Sequence, residues 1–296
     1  MNTRLRSAAQ NQEFLITAEI TPPKGGDTSH LIELGLKLKD RVHGVNITDG
    51  SRAVMQMSSI AASAILLQQG VEPICQIACR DRNVIGLQAD LLGAYALGIR
   101  NILALTGDPV KAGDHPGAKS VFELESVRLL KLIHKLNNAI DHNEKPLPDG
   151  GLNLFAGAAV DPQCNSWSGL QRRFEQKIEA GAQFFQSQMV TDFDRFDKFM
   201  HQIASIADKP VLAGIFLLKS AKNALFIRKN VPGVHIPDET IERLRNAPQP
   251  LEEGMKIAAE QIVKARQLCQ GVHIMAIKKE ELVPQILDLA GIEPVS

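Results

Sequence analysis

Apolar and polar positions recur along this chain with two different periods. Short runs rich in β-branched and aromatic residues appear at FLITAEI (14–20), GVNI (44–47), EPICQI (72–77), NILAL (101–105), LNLFAGAAV (152–160), FFQSQ (184–188), VLAGIFL (211–217) and VHIMAI (272–277). Their lengths and bounding turn residues predict strands. Between them, apolar residues every three or four positions predict helices over 29–39, 55–69, 84–97, 120–138, 166–181, 192–206, 237–245 with 250–269, and 279–289. Gly70, Gly98 and Gly181 stand where three of these helices should stop. In VIGLQADLLGAYALG, the residues Ile85, Leu91, Leu92 and Tyr95 keep one helical face, and the small residues between them suit packing against a sheet. The stretch 137–151, NNAIDHNEKPLPDGG, reads as a surface loop.

Eight strands, each followed by a helix, predict an α/β fold: one (β/α)8 TIM barrel spanning 1–296, with its active site at the C-terminal face of the strands. At 296 residues the chain suits such a barrel, which takes about 250. A doubly wound open sheet is the competitor, and it usually carries a Gly-rich fingerprint after its first strand. Here TAEITPPKGGD has tandem glycines behind two prolines, which disfavours that fold and a Rossmann-type reductase with it.

Composition narrows the function classes. An apolar fraction of 44% supplies a large core, and 33 basic residues balance 33 acidic ones, so no net field points to nucleic acid or to an anionic membrane. One Trp and one Tyr make a base-stacking platform unexpected. The opening MNTRLRSAAQNQEF lacks the apolar middle of a secretory signal, and no run approaches the ~20 apolar residues of a membrane span. The expectation is a cytoplasmic protein with no membrane insertion. Cys75, Cys79, Cys164 and Cys269 are too scattered for a disulfide framework or a zinc set.

The stretch NILALTGDPV (101–110) poses the chemical question: an interior strand runs straight into a carboxylate between a glycine and a proline. A plain turn is one answer. In a barrel, however, every strand end faces one rim, and the polar residues fall there. Strand one ends at Glu19, strand two at Thr48-Asp49, strand three at Gln76 and Cys79-Arg80-Asp81, and strand four at Thr106-Gly107-Asp108. Strand five ends at Asp161, strand six at Gln186 and Gln188, and strand eight at Lys278-Lys279. Asp81 and Asp192 precede helices and read as caps. Glu19, Gln76 and Gln188 lie within apolar runs, where an unpaired polar group costs free energy. Either a filled site or a buried structural network accounts for them. Glu19 is the candidate for proton transfer: desolvation on a dry rim favours its neutral form, and Asp108 nearby would push the same way. Gly107 allows close backbone approach by a planar ligand. No Ser or Cys nucleophile elbow, metal-spaced His pair or Walker loop occurs, and the eight histidines are dispersed, most of them reading as surface or helix residues.

The ordered set EITPPK (19–24), NITDGS (46–51), CRDRN (79–83), LQADLLGAYALGIRNILALTGDP (87–109), GDHPGAKSVFELESVRLL (113–130) and VPGVHIPD (231–238) resembles the methylenetetrahydrofolate reductase family over nearly the whole chain. The resemblance implies a (β/α)8 barrel binding flavin, usually FAD, at the strand C-terminal rim. There, reduced flavin passes a hydride to 5,10-methylenetetrahydrofolate to give 5-methyltetrahydrofolate, and NADH or NADPH reloads the flavin. It places Glu19 as the acid that opens the folate's five-membered ring and Asp108 as the carboxylate between pterin and flavin. It implies flavin contacts at Thr48, Gly107 and Lys177, a substrate amide contact at Gln188, and a meeting of Lys279 with the folate tail.

Departures from the family pattern bear on the cofactor. Better-known bacterial members carry His where this chain has Gln76, Arg where it has Thr106, and His where it has Asp161. Phe122 is the aromatic aligned with the one that stacks the cofactor. These changes leave FMN open beside FAD. The CRDRN and GDHPGAK variants leave an electron-donor partner subunit open beside direct use of a nicotinamide, and the exposed barrel helices that make subunit contacts in the family leave a homo-oligomer open. A flavin-free pterin-binding methyl-transfer component is the reading from another class.

Overall fold

The computed structural model describes residues 2–231 and 233–295, so Met1, Ser296 and Pro232 of VPGVHIPD lie outside the described residues. Eight strands close into a barrel in sequence order, every neighbouring pair parallel. They are β1 (Leu15–Ile20), β2 (Gly44–Ile47), β3 (Pro73–Ala78), β4 (Asn101–Leu105), β5 (Phe155–Val160), β6 (Phe184–Met189), β7 (Val211–Phe216) and β8 (Gly271–Met275). Closure overturns the open-sheet alternative. Each strand matches an expected one within a few residues.

A helix that periodicity did not reveal comes first. α1 (Arg4–Gln10) opens on Thr3, whose hydroxyl accepts from Arg6 N, and it buries Leu5 and Ala8. These two pack with Leu15, Ile74, Leu103, Phe155, Phe184 and Leu212, residues drawn from six different strands. That cluster is the floor of the barrel interior, so α1 closes its N-terminal end. The Glu72 carboxylate fastens the helix by accepting from Arg4 N (2.6 Å) and Leu5 N (2.9 Å), and Asn101 donates to the same carboxylate (2.9 Å). At Gly157 an added Cβ would stand 2.2 Å from the Phe184 ring, so only glycine lets that ring fill the floor.

The remaining helices wrap the outside: α2 (Ser29–Leu38), α3 (Ser59–Gln68), α4 (Val84–Ala96), α5 (Ser126–Asn137), α6 (Trp167–Glu179), α7 (Phe193–Gln202), α8 (Ala221–Asn230), α9 (Asp238–Asn246), α10 (Pro250–Ala265) and α11 (Val283–Leu289). α8 is a second helix beyond the expected set; with α9 it packs into a satellite core around Ile227, Ile236 and Leu244. Gly70, Gly98 and Gly181 have φ of +72°, +94° and +97°, the left-handed stops their positions called for. Residues 138–154 form the expected surface excursion, pinned by the Ile140–Pro146 bridge. Two local readings need correction. Asn83, not Asp81, caps α4, because its side chain reaches Gly86 N whereas Asp81 is held by Arg80. The sheet-facing residues of α4 are Leu87, Leu91 and Ala94, and Ile85 and Leu92 point to solvent, because large apolar residues lie on more than one side of the helix and periodicity could not choose a face.

Candidate active site

Strand alternation sends Thr17 and Glu19 of β1, Asn46 and Thr48 around β2, Gln76 of β3, Gln186 and Gln188 of β6 and His273 of β8 toward the barrel axis. Above the apolar floor lies a polar layer. Thr17 Oγ1 is 3.0 Å from His273 Nδ1, Asn46 Nδ2 is 3.3 Å from the same nitrogen, and Gln186 Nε2 donates to Thr17 Oγ1 at 3.1 Å. His273 Nε2 faces Glu19 Oε2 at 3.8 Å. Gln76 Nε2 donates to the same carboxylate oxygen at 3.3 Å. Glu19 is therefore aimed by two neighbours from two strands, with its side chain 16% exposed at the mouth. The structural network is present in the lower layer, and the filled-site reading rests on Glu19 above it.

His273, buried like His43, is an exception among histidines that mostly lie on the surface or on helices. It is buried within β8 and aligned with Thr17 in the β1–β8 register, so a histidine at the same inward parity as Glu19 was the signal. Asn46 Oδ1 and Gln186 Oε1 are buried without a partner among the described residues, a sign that this layer accepts hydrogen bonds from outside the chain.

Gln188 stands at a β-bulge. The β6–β7 register shifts between Gln186 and Met189, and Ser187 Oγ accepts from Gly214 N at 2.8 Å where the ladder is interrupted. Gln188 is exposed at this bulge, beyond the last regular pairs of the strand. Thr48 is buried, its hydroxyl 3.4 Å from Gln56 Oε1.

The EITPPK and GDHPGAK motifs meet on the rim with residues 52–57, the segment that follows NITDGS. Asp108 Oδ2 accepts from Arg52 N at 2.7 Å, and Asp114 accepts from Met55 N at 2.9 Å and from Lys24 Nζ at 2.6 Å. Met57 N donates to Pro23 O at 2.8 Å. Three loops are thereby laced around a backbone in which Arg52 and Ala53 hold φ of +57° and +55°. Non-glycine residues in that region cost about 1–3 kcal/mol each and gather at ligand clamps. The Lys24 ammonium, followed by the Met55 amide, holds the Asp114 carboxyl well below the usual carboxylate range. Asp108 is tied to this loop rather than to Glu19.

Other candidates have local partners. Gly107 (φ +94°) packs where an added Cβ would stand 3.0 Å from Arg80 Cβ. Thr106 Oγ1 accepts from Ser126 N at 3.1 Å at the start of α5. Asp161 Oδ1 accepts from Gln163 N at 3.0 Å, and Phe122 is half-buried at φ +45°. Lys279 Nζ lies 3.3 Å from Glu281.

Lys177, on α6, donates to Ala159 O at 2.6 Å. Burial, helped by the Arg173 charge, pushes its ammonium down to about 8. The depressed value means folding works against the charge below about pH 8, and that cost lifts as pH rises toward the ordinary lysine range. Urea unfolding is expected to show wild type gaining on Lys177→Met between about pH 8 and 10. A flat difference would mean the amine is solvated.

The family model and the curated relatives point to one family. The family model described as "Methylenetetrahydrofolate reductase" matches residues 4–291. Methylenetetrahydrofolate reductase 2 of Schizosaccharomyces pombe is 27% identical over 265 residues, covering 83% of this chain and 40% of that protein. A probable methylenetetrahydrofolate reductase (NADPH) of Caenorhabditis elegans is 25% identical over 246 residues, covering 81% and 35%. The chain thus spans well under half the length of these curated relatives. Among solved structures, an uncharacterized Clostridium thermocellum protein that binds two copies of 5-methyl-5,6,7,8-tetrahydrofolic acid superposes with a TM-score of 0.67 at 17% identity, over 97% of this chain and 98% of that one. At that identity the likeness speaks for the barrel alone.

Proposed function

The chain belongs to the methylenetetrahydrofolate reductase family, and from that premise we propose that it reduces 5,10-methylenetetrahydrofolate to 5-methyltetrahydrofolate with Glu19 as general acid. The observation that carries this reading is the aimed carboxylate. Glu19 sits at the mouth of a sealed barrel, held by Gln76 and backed by His273. An acid in that position can protonate a folate amine nitrogen and open the five-membered ring to an electrophilic iminium. His273 is a positioning residue, its Nε2 lying 3.8 Å from that carboxylate. Gln188 is the free amide for the pterin, and Lys279 the cation for the folate tail.

The donor set suits a flavin. Its ring carries both acceptors and an N–H donor, and the rim offers the Thr48 hydroxyl, the Gln188 amide and the buried Lys177 ammonium, above a layer that keeps two unpartnered carbonyl oxygens. Thr48, Gly107 and Lys177 would hold it, with Gln76, Thr106, Phe122 and Asp161 on the same rim. A bound reduced flavin supplies the hydride for the one-carbon unit. FAD is favoured by family, FMN is the alternative, and NADH, NADPH or a protein partner is the electron source.

Purified chain is expected to bind FAD or FMN with a yellow absorbance that reductant bleaches and methylenetetrahydrofolate restores. Folate binding by a chain that takes up neither flavin would sink the reductase reading and favour flavin-free methyl transfer.

A further inference from the structure

Two carboxylates of one loop act on a single strained turn. The turn follows β2, and its residues Arg52 and Ala53 hold φ of +57° and +55°, a region that side chains other than glycine rarely adopt. Its own contribution is one long hydrogen bond, Val54 N to Ser51 O at 3.3 Å, so the conformation is imposed from outside. The loop after β4 grips it twice. Asp108 Oδ2 accepts from Arg52 N at 2.7 Å, and Asp114 Oδ1 accepts from Met55 N at 2.9 Å. Gly113 lies against the same turn: a Cβ added there would stand 1.7 Å from Ala53 O. Arg80 steadies the entrance, its Nη1 donating to Gly50 O at 2.9 Å.

The two carboxylates are not equally engaged. Asp114 uses both oxygens, with Lys24 Nζ 2.6 Å from Oδ2 and His115 Nδ1 3.0 Å from Oδ1. Asp108 is exposed just beyond β4, and no hydrogen bond from the described residues reaches its Oδ1. A carboxylate held through one oxygen keeps a fixed plane, so the other oxygen is already oriented to accept from a ligand. The bond that holds Asp108 comes from Arg52 N, and the direction of that N–H follows from the shape of the turn. The Lys24–Asp114 pair is solvated, with side chains 58% and 31% exposed, so it contributes little by itself. The bond from Asp114 to the Met55 amide is the one that fixes the turn. We propose that Asp114 is a positioning residue: it keeps residues 52–55 in their left-handed form, and they set the Asp108 carboxylate for the substrate. The proposal rests on the folate reading above, since a pterin ring presents an amino group and a ring N–H, donors that a rim carboxylate accepts.

Amide hydrogen exchange of the full chain and calorimetric binding of 5-methyltetrahydrofolate test it together. Asp114→Ala is expected to speed exchange at both Met55 and Arg52 by at least about 10-fold, with an unchanged circular dichroism spectrum. Folate binding is expected to weaken by about 10-fold or more. Asp114→Asn keeps an oxygen for the Met55 amide and is expected to recover most of both losses. In an Asp108→Ala background, Asp114→Ala is expected to weaken folate binding no further, because its route to the ligand is gone. Arg52 exchanging at the wild-type rate in Asp114→Ala overturns the proposal. So does an equal loss of folate binding with and without Asp108, which would mean that Asp114 holds the rim as a whole. Wild type that binds no folate sinks the folate reading instead, and exchange at Arg52 still judges whether Asp114 sets the turn.

Discussion

Glu19→Gln is expected to slow reduction of methylenetetrahydrofolate by about 10²- to 10⁴-fold while leaving reduction of the bound flavin close to wild type. The substitution keeps the shape of the side chain and an oxygen that can still accept from Gln76, so the mouth should remain as built. What it removes is a proton that can leave. Only the folate half-reaction consumes that proton, because a ring C–N bond must break before the one-carbon unit becomes electrophilic. Rapid mixing separates the halves: flavin bleaching by the reductant, then flavin recovery on adding folate. Equal losses in both would mean that Glu19 serves the shape of the pocket rather than the chemistry. The expected asymmetry follows from position, since Glu19 lies on the axis side of β1 and its neighbours Gln76 and His273 also belong to the interior.

Leu5→Ala carries the largest expected effect on stability, about 2–5 kcal/mol by urea unfolding. Leu5 is wholly buried although it sits five residues from the start of the chain, and it packs onto Leu15, Ile74, Phe155 and Phe184. Deleting three carbons there opens a cavity in a floor that aromatic rings cannot easily collapse to fill. An unfolding midpoint equal to wild type would show that α1 rests on the barrel without closing it. Folate turnover at low temperature should change little, because the floor and the mouth are separated by the polar layer of Thr17, Asn46, Gln186 and His273.

The eight strands were legible because each is a short apolar run with turn residues at its ends, and fixed spacing did the rest. α1 was not, since a seven-residue helix with two buried positions is too short to show a period. α8 was hidden by Lys222, Asn223, Arg228 and Lys229, although Ser220 accepts from Asn223 N as a helix cap should. Glu19 and Gln76 could be found as polar residues inside apolar runs. Their partner could not: His273 was visible in VHIMAI, but pairing it with Thr17 needs the closure of β8 onto β1, a contact 256 residues apart. Asp108 was visible as a rim residue, while its bond to Arg52 depends on loop geometry that no period encodes. The face of α4 was misjudged for the opposite reason: large apolar residues lie on more than one side of the helix, and only the barrel decides which are covered.

The stopper at the base has a consequence for traffic. With one end of the cylinder corked by Leu5 and Ala8, whatever enters and whatever leaves share a single doorway.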